Sequence, residues 1–84
     1  MIRKRVRVNK EELAGVCRSR GITSWAELSK LAGISASTLP HAFHQNDGVI
    51  SLEVAFLISR ALDVNIDEFG EEFAKDIVNS RDFM

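Results

Sequence analysis

The 84-residue chain lacks the features that mark membrane and secreted proteins. No apolar run approaches the ~18 residues that a membrane-spanning helix needs. The basic start MIRKRVRVNK continues as EELAGVCRSR instead of as an apolar stretch, so we expect no signal peptide. The single cysteine, Cys17, cannot form an internal disulfide. We therefore expect a cytoplasmic protein in which Cys17 is a small core residue.

Catalytic and metal-binding patterns are also missing from the sequence. No nucleophile is placed with a base and an orienting group, and no glycine-rich phosphate loop is present. His41 and His44 are three residues apart, but no third ligand follows at a suitable spacing. We expect both histidines to be surface residues, and we expect no enzyme activity, no cofactor and no metal.

Repeats, low-complexity tracts and Pro/Gly-rich linkers are absent, which predicts one small domain. The net charge of −1 hides a strong asymmetry. Residues 1–20 carry seven Arg or Lys against two Glu, whereas residues 61–84 carry two Arg or Lys against seven Asp or Glu. The chain therefore has a basic head and an acidic tail, either as solvated charge or as surfaces for partners.

Helix signals punctuate most of the chain. Apolar residues at spacings of three and four predict helices over 10–20, 25–32, 38–44 and 52–62. Their expected caps are Asn9 with Glu12, Ser24 with Glu27, Ser35 or Ser37, and Ser51. A fifth helix is expected to begin at IDEF.

The two ends of the chain have different patterns. Residues 2–8 alternate basic and apolar side chains, which favours either a short strand or a flexible basic arm. Phe69, Phe73 and Ile77 are four apart, which is typical of an amphipathic helix. The prediction is a compact all-α domain of five or six short helices, with a basic arm over 1–8, a main unit over 9–69 and an acidic helix or tail over 70–84.

Two short helices joined by a glycine turn span residues 25–44, with the sequence WAELSKLAGISASTLPHAFH. Ser29 is small enough to let the two helices approach, and Gly33 suits a sharp turn with positive φ. This pattern is typical of a helix-turn-helix, in which the second helix of the pair enters the major groove of DNA.

At these residues the sequence resembles the Cro/repressor-type (lambda-repressor-like) helix-turn-helix family. The resemblance covers about residues 9–69, including RGITSWAELSKLAGISASTL and SLEVAFLISRALDVNIDEF. It implies a sequence-specific transcription regulator that binds double-stranded DNA as a dimer and represses by occupying its operator.

The resemblance also implies roles for particular residues. The expected base contacts are Ala36, Ser37, His41 and Gln45. The expected phosphate contacts are Arg3, Lys4, Arg5, Arg7, Ser24, Trp25, His44 and Asn46, with Lys10 as a further cation. For Trp25 the alternative is a residue packed over the domain.

Two features of the third helix depart from the family pattern. Pro40 would remove a hydrogen bond and crowd a carbonyl in a helix interior, so we predict that the helix starts at Thr38 with Ser37 as its cap. Residues 35–46 contain no Arg or Lys, so the commonest contact to guanine is missing from this helix. Base reading would depend on His41, Gln45 or Asn46.

The helix over 52–62 is apolar on more than one side. Its inward stripe is predicted to be Leu52, Ala55, Phe56, Ser59 and Leu62. The remaining apolar residues would be covered by the C-terminal segment or by a second chain, and we favour a homodimer. The predicted dimer interface is Val54, Leu57, Ile58, Phe73 and Ile77.

A second hypothesis keeps the same fold without specific DNA binding. The protein would then be an interaction module, antitoxin-like or antirepressor-like, whose acidic C-terminal third binds a protein partner. The low pI of about 6.1 and the absence of basic residues in 35–46 favour this alternative.

Overall fold

The structure is a computed structural model that describes the backbone of residues 2–76 and the side chains of residues 4–72. It is a small mixed α/β domain in which a three-stranded antiparallel sheet packs with four α-helices. The elements in chain order are β1 (Ile2–Val8), α1 (Lys10–Ser19), α2 (Trp25–Ala32), α3 (Thr38–Gln45), β2 (Val49–Ser51), α4 (Leu52–Leu62), a 3-10 turn (Ile66–Glu68) and β3 (Gly70–Asp76). No helix within residues 2–76 is long and apolar enough to cross a membrane.

The all-α prediction is wrong because both ends of the described chain form strands. The order in the sheet is β2-β1-β3, so β1 is the central strand and is not a flexible arm. The predicted boundaries at residues 8 and 70 therefore cut through a single sheet. β1 pairs with β3 from Ile2 opposite Asp76 to Val8 opposite Gly70. It pairs with β2 around Val6 opposite Ile50.

The predicted fifth helix is reduced to one 3-10 turn, and the predicted C-terminal helix is a strand as far as Asp76. Asn65 and Glu68 form a capping box around the turn, with the Asn65 amide donating to Glu68 Oε2 at 3.0 Å. Phe69 is fully buried and anchors the chain where β3 begins. Ile77 and the rest of the predicted helix lie outside the described residues.

Gly70 lets β3 lie close to β1. A Cβ at this position would be 2.9 Å from the Arg7 carbonyl oxygen and 2.9 Å from Val6 Cγ1, both too short for real atoms. In the predicted C-terminal helix, a glycine at this position would be destabilising relative to Ala. In the structure, the absence of a side chain at Gly70 allows β3 to approach β1 closely enough to form backbone hydrogen bonds with it.

Most of the predicted helix caps are confirmed. Asn9 accepts a hydrogen bond from the Glu12 amide at 3.0 Å, and Ser24 accepts one from the Glu27 amide at 3.1 Å. Ser51 caps α4 by accepting from the Val54 amide at 3.1 Å. The return bond expected from Glu12 to Asn9 is replaced, because the Asn9 amide donates to the Phe69 carbonyl at 2.8 Å.

The core lies between the sheet and the helices. Val6 and Val8 lie on the inward face of β1 and are buried. Each of the first three helices also contributes a fully buried leucine, namely Leu13, Leu28 and Leu39. Cys17 is buried there too, as predicted. Burial raises the pKa of its thiol, and the nearby Arg18 offsets part of that shift.

The predicted inward face of α4 is wrong at two positions. Ile58 is fully buried in the domain, whereas Phe56 is 53% exposed. The buried stripe is Ala55, Ile58, Ser59 and Leu62. Both stripes fit the helical period, because a helix that is apolar nearly all round does not show which side faces its neighbours.

Candidate nucleic-acid interface

The turn between α2 and α3 has the geometry that the sequence predicts. Gly33 ends α2 in the left-handed region at φ 75°, ψ 30°. Its amide donates to the Lys30 carbonyl, and the next amide, of Ile34, donates to the Ser29 carbonyl at 3.0 Å. The buried Ser29 lies on the inward face of α2, together with Leu28 and Ala32. The two helices are thus joined by a tight turn with small residues beside it.

The start of α3 confirms the interpretation of Pro40. The helix begins at Thr38, and the first carbonyl within its hydrogen-bond ladder is that of Ser37, which accepts from the His41 amide at 2.9 Å. Pro40 therefore lies in the first turn, where its missing N–H would have no helical partner. Ser37 occupies the cap position, but its side chain makes no capping bond. Its hydroxyl lies 3.0 Å from that of Ser35.

Four polar side chains of α3 form an exposed ridge, which we define as Ser37, His41, His44 and Gln45. At about 100° per residue they fall within an arc of about 100° on one side of the helix. Leu39 and Ala42 face the other way and are buried. The structure thus brings three of the four predicted base contacts onto one solvent-facing surface, and Ala36 is exposed in the turn just before it.

One side of the ridge is lined by the sheet. Arg5 shares a shallow depression with Ser37, Thr38 and His41, and the floor of this depression comes from β2 and the start of α4. Arg5 is half-buried, and it pairs in register with Ser51 on β2 and with Phe73 on β3. A cation of the N-terminal segment therefore lies beside the first turn of α3.

The other side of the ridge is lined by α1. Lys10 Nζ lies 5.7 Å above the centre of the Phe43 ring, and both residues border a depression that contains His44 and Asp47. Phe43 also packs on Trp25, with ring centres 5.3 Å apart at 48°. Trp25 is half-buried in this contact, which supports the alternative of a packed residue.

The start of α2 has a cation that the sequence analysis missed. Arg18, at the end of α1, borders a depression with Thr23, Ser24 and Trp25. Lys10 and Arg18 are eight residues apart on α1 and lie on one face of it, so the helical spacing was an available signal. The Ser24 hydroxyl is used as the cap of α2, and Glu27 Oε1 accepts from the Thr23 amide at 2.8 Å.

Several predicted phosphate contacts have partners within the domain. Lys4 Nζ lies 3.6 Å from Glu72 Oε1, and Arg7 Nε lies 3.5 Å from Asp47 Oδ2. Asn46 Nδ2 donates to the Val49 carbonyl at 2.9 Å and so holds the loop before β2. The side chain of Arg3 lies outside the described ones.

The predicted dimer interface is only partly available. Ile58 cannot contact a second chain because it is fully buried, so its assignment is wrong. Val54 and Leu57 are half-buried on α4. Phe73 belongs to β3, although its side chain is not described, and Ile77 lies beyond the described backbone. The large exposed apolar residues of the described region are Phe56 and Leu31.

The described residues hold no group of three or more His, Cys, Asp or Glu side chains that could ligate a metal ion. Comparison of the chain with protein-family models, curated proteins and solved structures found no match. What the site can do is therefore judged from its own residues.

Proposed function

We propose that this protein is a sequence-specific transcription regulator that binds double-stranded DNA through α3 and represses by occupying its operator as a homodimer. The observation that carries the proposal is the exposed ridge of α3, which has a cation on each side. Arg5 borders it at Ser37 and His41, and Lys10 borders it at Phe43 and His44. A helix that enters the major groove needs polar side chains at its tip and positive charge towards the phosphates on both sides.

The rest of the charge distribution fits this proposal. The acidic segment over 70–76 pairs with the basic strand β1, which places part of the tail's charge in the sheet instead of beside α3. Lys4 and Glu72 form one such contact across the two strands. The near-neutral net charge therefore does not describe the surface around the ridge.

The test is selection from random duplex DNA at roughly 100 mM salt, a range in which phosphate contacts strongly affect affinity. We expect an enriched palindromic motif whose half-sites are about one helical turn apart. A folded protein that enriches no motif would contradict the proposal. Circular dichroism and a single cooperative unfolding transition establish that the protein is folded.

The His41→Ala variant tests the ridge itself. We expect the ratio of its affinities for the selected duplex and for a variant site to fall roughly fivefold to a hundredfold, because a base contact is removed. Asp67→Ala is the control, since Asp67 is an exposed residue of the 3-10 turn and borders neither depression beside α3. Equal loss of preference in both variants would place base reading elsewhere.

A protein-interaction module remains the second candidate. The observation that favours it is the exposure of two large apolar side chains, Leu31 at 60% and Phe56 at 53%. The pairing of the acidic segment over 70–76 with β1 weighs against its use as a free acidic surface.

A further inference from the structure

The exposed ridge of α3 lacks the side chain that most often recognises guanine. Arg can donate two hydrogen bonds to O6 and N7 of guanine, and Lys can also reach these atoms. The ridge offers only Ser, His and Gln side chains. If this ridge reads DNA, it lacks the Arg or Lys side chain that most often contacts guanine.

Arg5 lies where it could supply that donor. It borders the depression formed by Ser37, Thr38 and His41, which belong to the first turn of α3. In a helix-turn-helix complex the N-terminal residues of the second helix are the ones that meet the base edges. A guanidinium beside this turn is closer to the bases than one placed at the far end of the helix.

The backbone that carries Arg5 is held on both sides. β1 is the central strand, and Arg5 lies opposite Ser51 on one side and Phe73 on the other. The side chain is also half-buried. A cation on a fixed strand loses less conformational freedom on binding than one on a flexible arm, which favours a specific contact.

The neighbouring cations of β1 differ from Arg5 in their partners. Lys4 is paired with Glu72 and Arg7 with Asp47. Arg5 forms no ion pair with the side chains that the structure describes. Its side chain and that of Lys4 leave opposite faces of the strand, because successive residues of a strand alternate.

We infer that Arg5 reads a guanine in the operator, from the sheet and beside the first turn of α3. This inference rests on the proposed function, because it assigns one base contact within that DNA complex. It differs from the expectation of a phosphate contact, in which Arg5 would add affinity for every sequence alike.

The experiment repeats the selection from random duplex DNA with the wild-type protein, Arg5→Lys, Arg5→Ala and the control Lys30→Ala, which removes an exposed cation of α2 that borders neither depression beside α3. We expect Arg5→Ala to lose the preference for guanine at one position of each half-site, by roughly tenfold to a hundredfold. Arg5→Lys keeps the charge and loses the forked geometry, so we expect a weakened guanine preference with an unchanged salt slope. Lys30→Ala should recover the wild-type motif.

The outcomes separate the two proposals. An Arg5→Ala motif identical to the wild-type motif, with affinity lowered equally for all sequences and a log–log salt slope reduced by about 0.9, shows a phosphate contact and overturns the inference alone. No motif for the folded wild-type protein overturns the proposed function and the inference with it. If Arg5→Ala does not fold, Arg5→Met decides in its place, because it keeps the unbranched stem of Arg5 and removes every donor. An unchanged guanine preference in that variant also contradicts the inference.

Discussion

At the scale of single residues, two buried serines show how differently the same side chain can be accommodated. Ser59 Oγ donates to the Phe56 carbonyl at 2.7 Å within α4. Ser29 is 1% exposed, and its hydroxyl has no hydrogen-bond partner among the described atoms. An unpaired buried hydroxyl is costly, so Ser29 is kept at this helix contact for its small size and not for its polarity.

We predict that Ser29→Ala raises the free energy of unfolding by about 1 kcal/mol, because it removes the unpaired hydroxyl and improves the helix propensity. Urea denaturation monitored by circular dichroism measures the change. Ser59→Ala is the matched control and should give no gain, since it deletes a hydrogen bond that is made. A destabilised Ser29→Ala variant would show that the hydroxyl has a partner.

At the scale of elements, the local sequence of β3 does not predict a strand, because the strand depends on contacts with β1. The segment GEEFAKD has a weak preference for a strand, and Phe69, Phe73 and Ile77 have helical spacing. The strand forms because the edge of β1 that β2 leaves unpaired can hydrogen-bond with it, and because Gly70 has no side chain to clash with β1. Pairing with a distant strand here outweighs local periodicity.

Gly70→Ala tests this pairing. We expect a loss of about 1–3 kcal/mol in the free energy of unfolding, because the added Cβ would be 2.9 Å from the backbone of β1. The matched control is Gly15→Ala in α1, where a Cβ meets nothing closer than 4.0 Å. That control should gain about 0.5–1 kcal/mol from helix propensity. Chemical denaturation of both variants gives the comparison, and equal effects would contradict the close approach of β3.

At the scale of the whole molecule, the sheet changes which surfaces remain for a second subunit. β1 pairs on both sides, so it cannot join a partner strand. Ile58 is buried, whereas Phe56 is exposed on α4, and the Arg60 guanidinium lies 5.8 Å above its ring. For a dimer through α4, Phe56 is the large apolar side chain of that helix that is exposed for the contact.

We predict that Phe56→Glu raises the monomer fraction, because a charge would be buried in the interface. Sedimentation velocity over a range of concentrations measures this fraction. Leu31→Glu places the same charge on an exposed apolar residue of α2 and should leave the dimer intact. A dimer that is unchanged by Phe56→Glu would move the interface away from this face of α4.

The sequence by itself determined the features that depend on neighbours a few residues apart. The caps at Asn9, Ser24 and Ser51, the turn at Gly33 and the start of α3 at Thr38 were all predictable, because each is a bond or a steric limit within one turn of chain. The tertiary structure alone decided that 70–76 is a strand, that Ile58 and not Phe56 faces the core, and that Arg5 and His41 line one depression. These outcomes require contacts between segments far apart in sequence. The basic head and acidic tail were an available signal that residues 70–76 pair with β1, since opposite charges on paired strands favour their alignment.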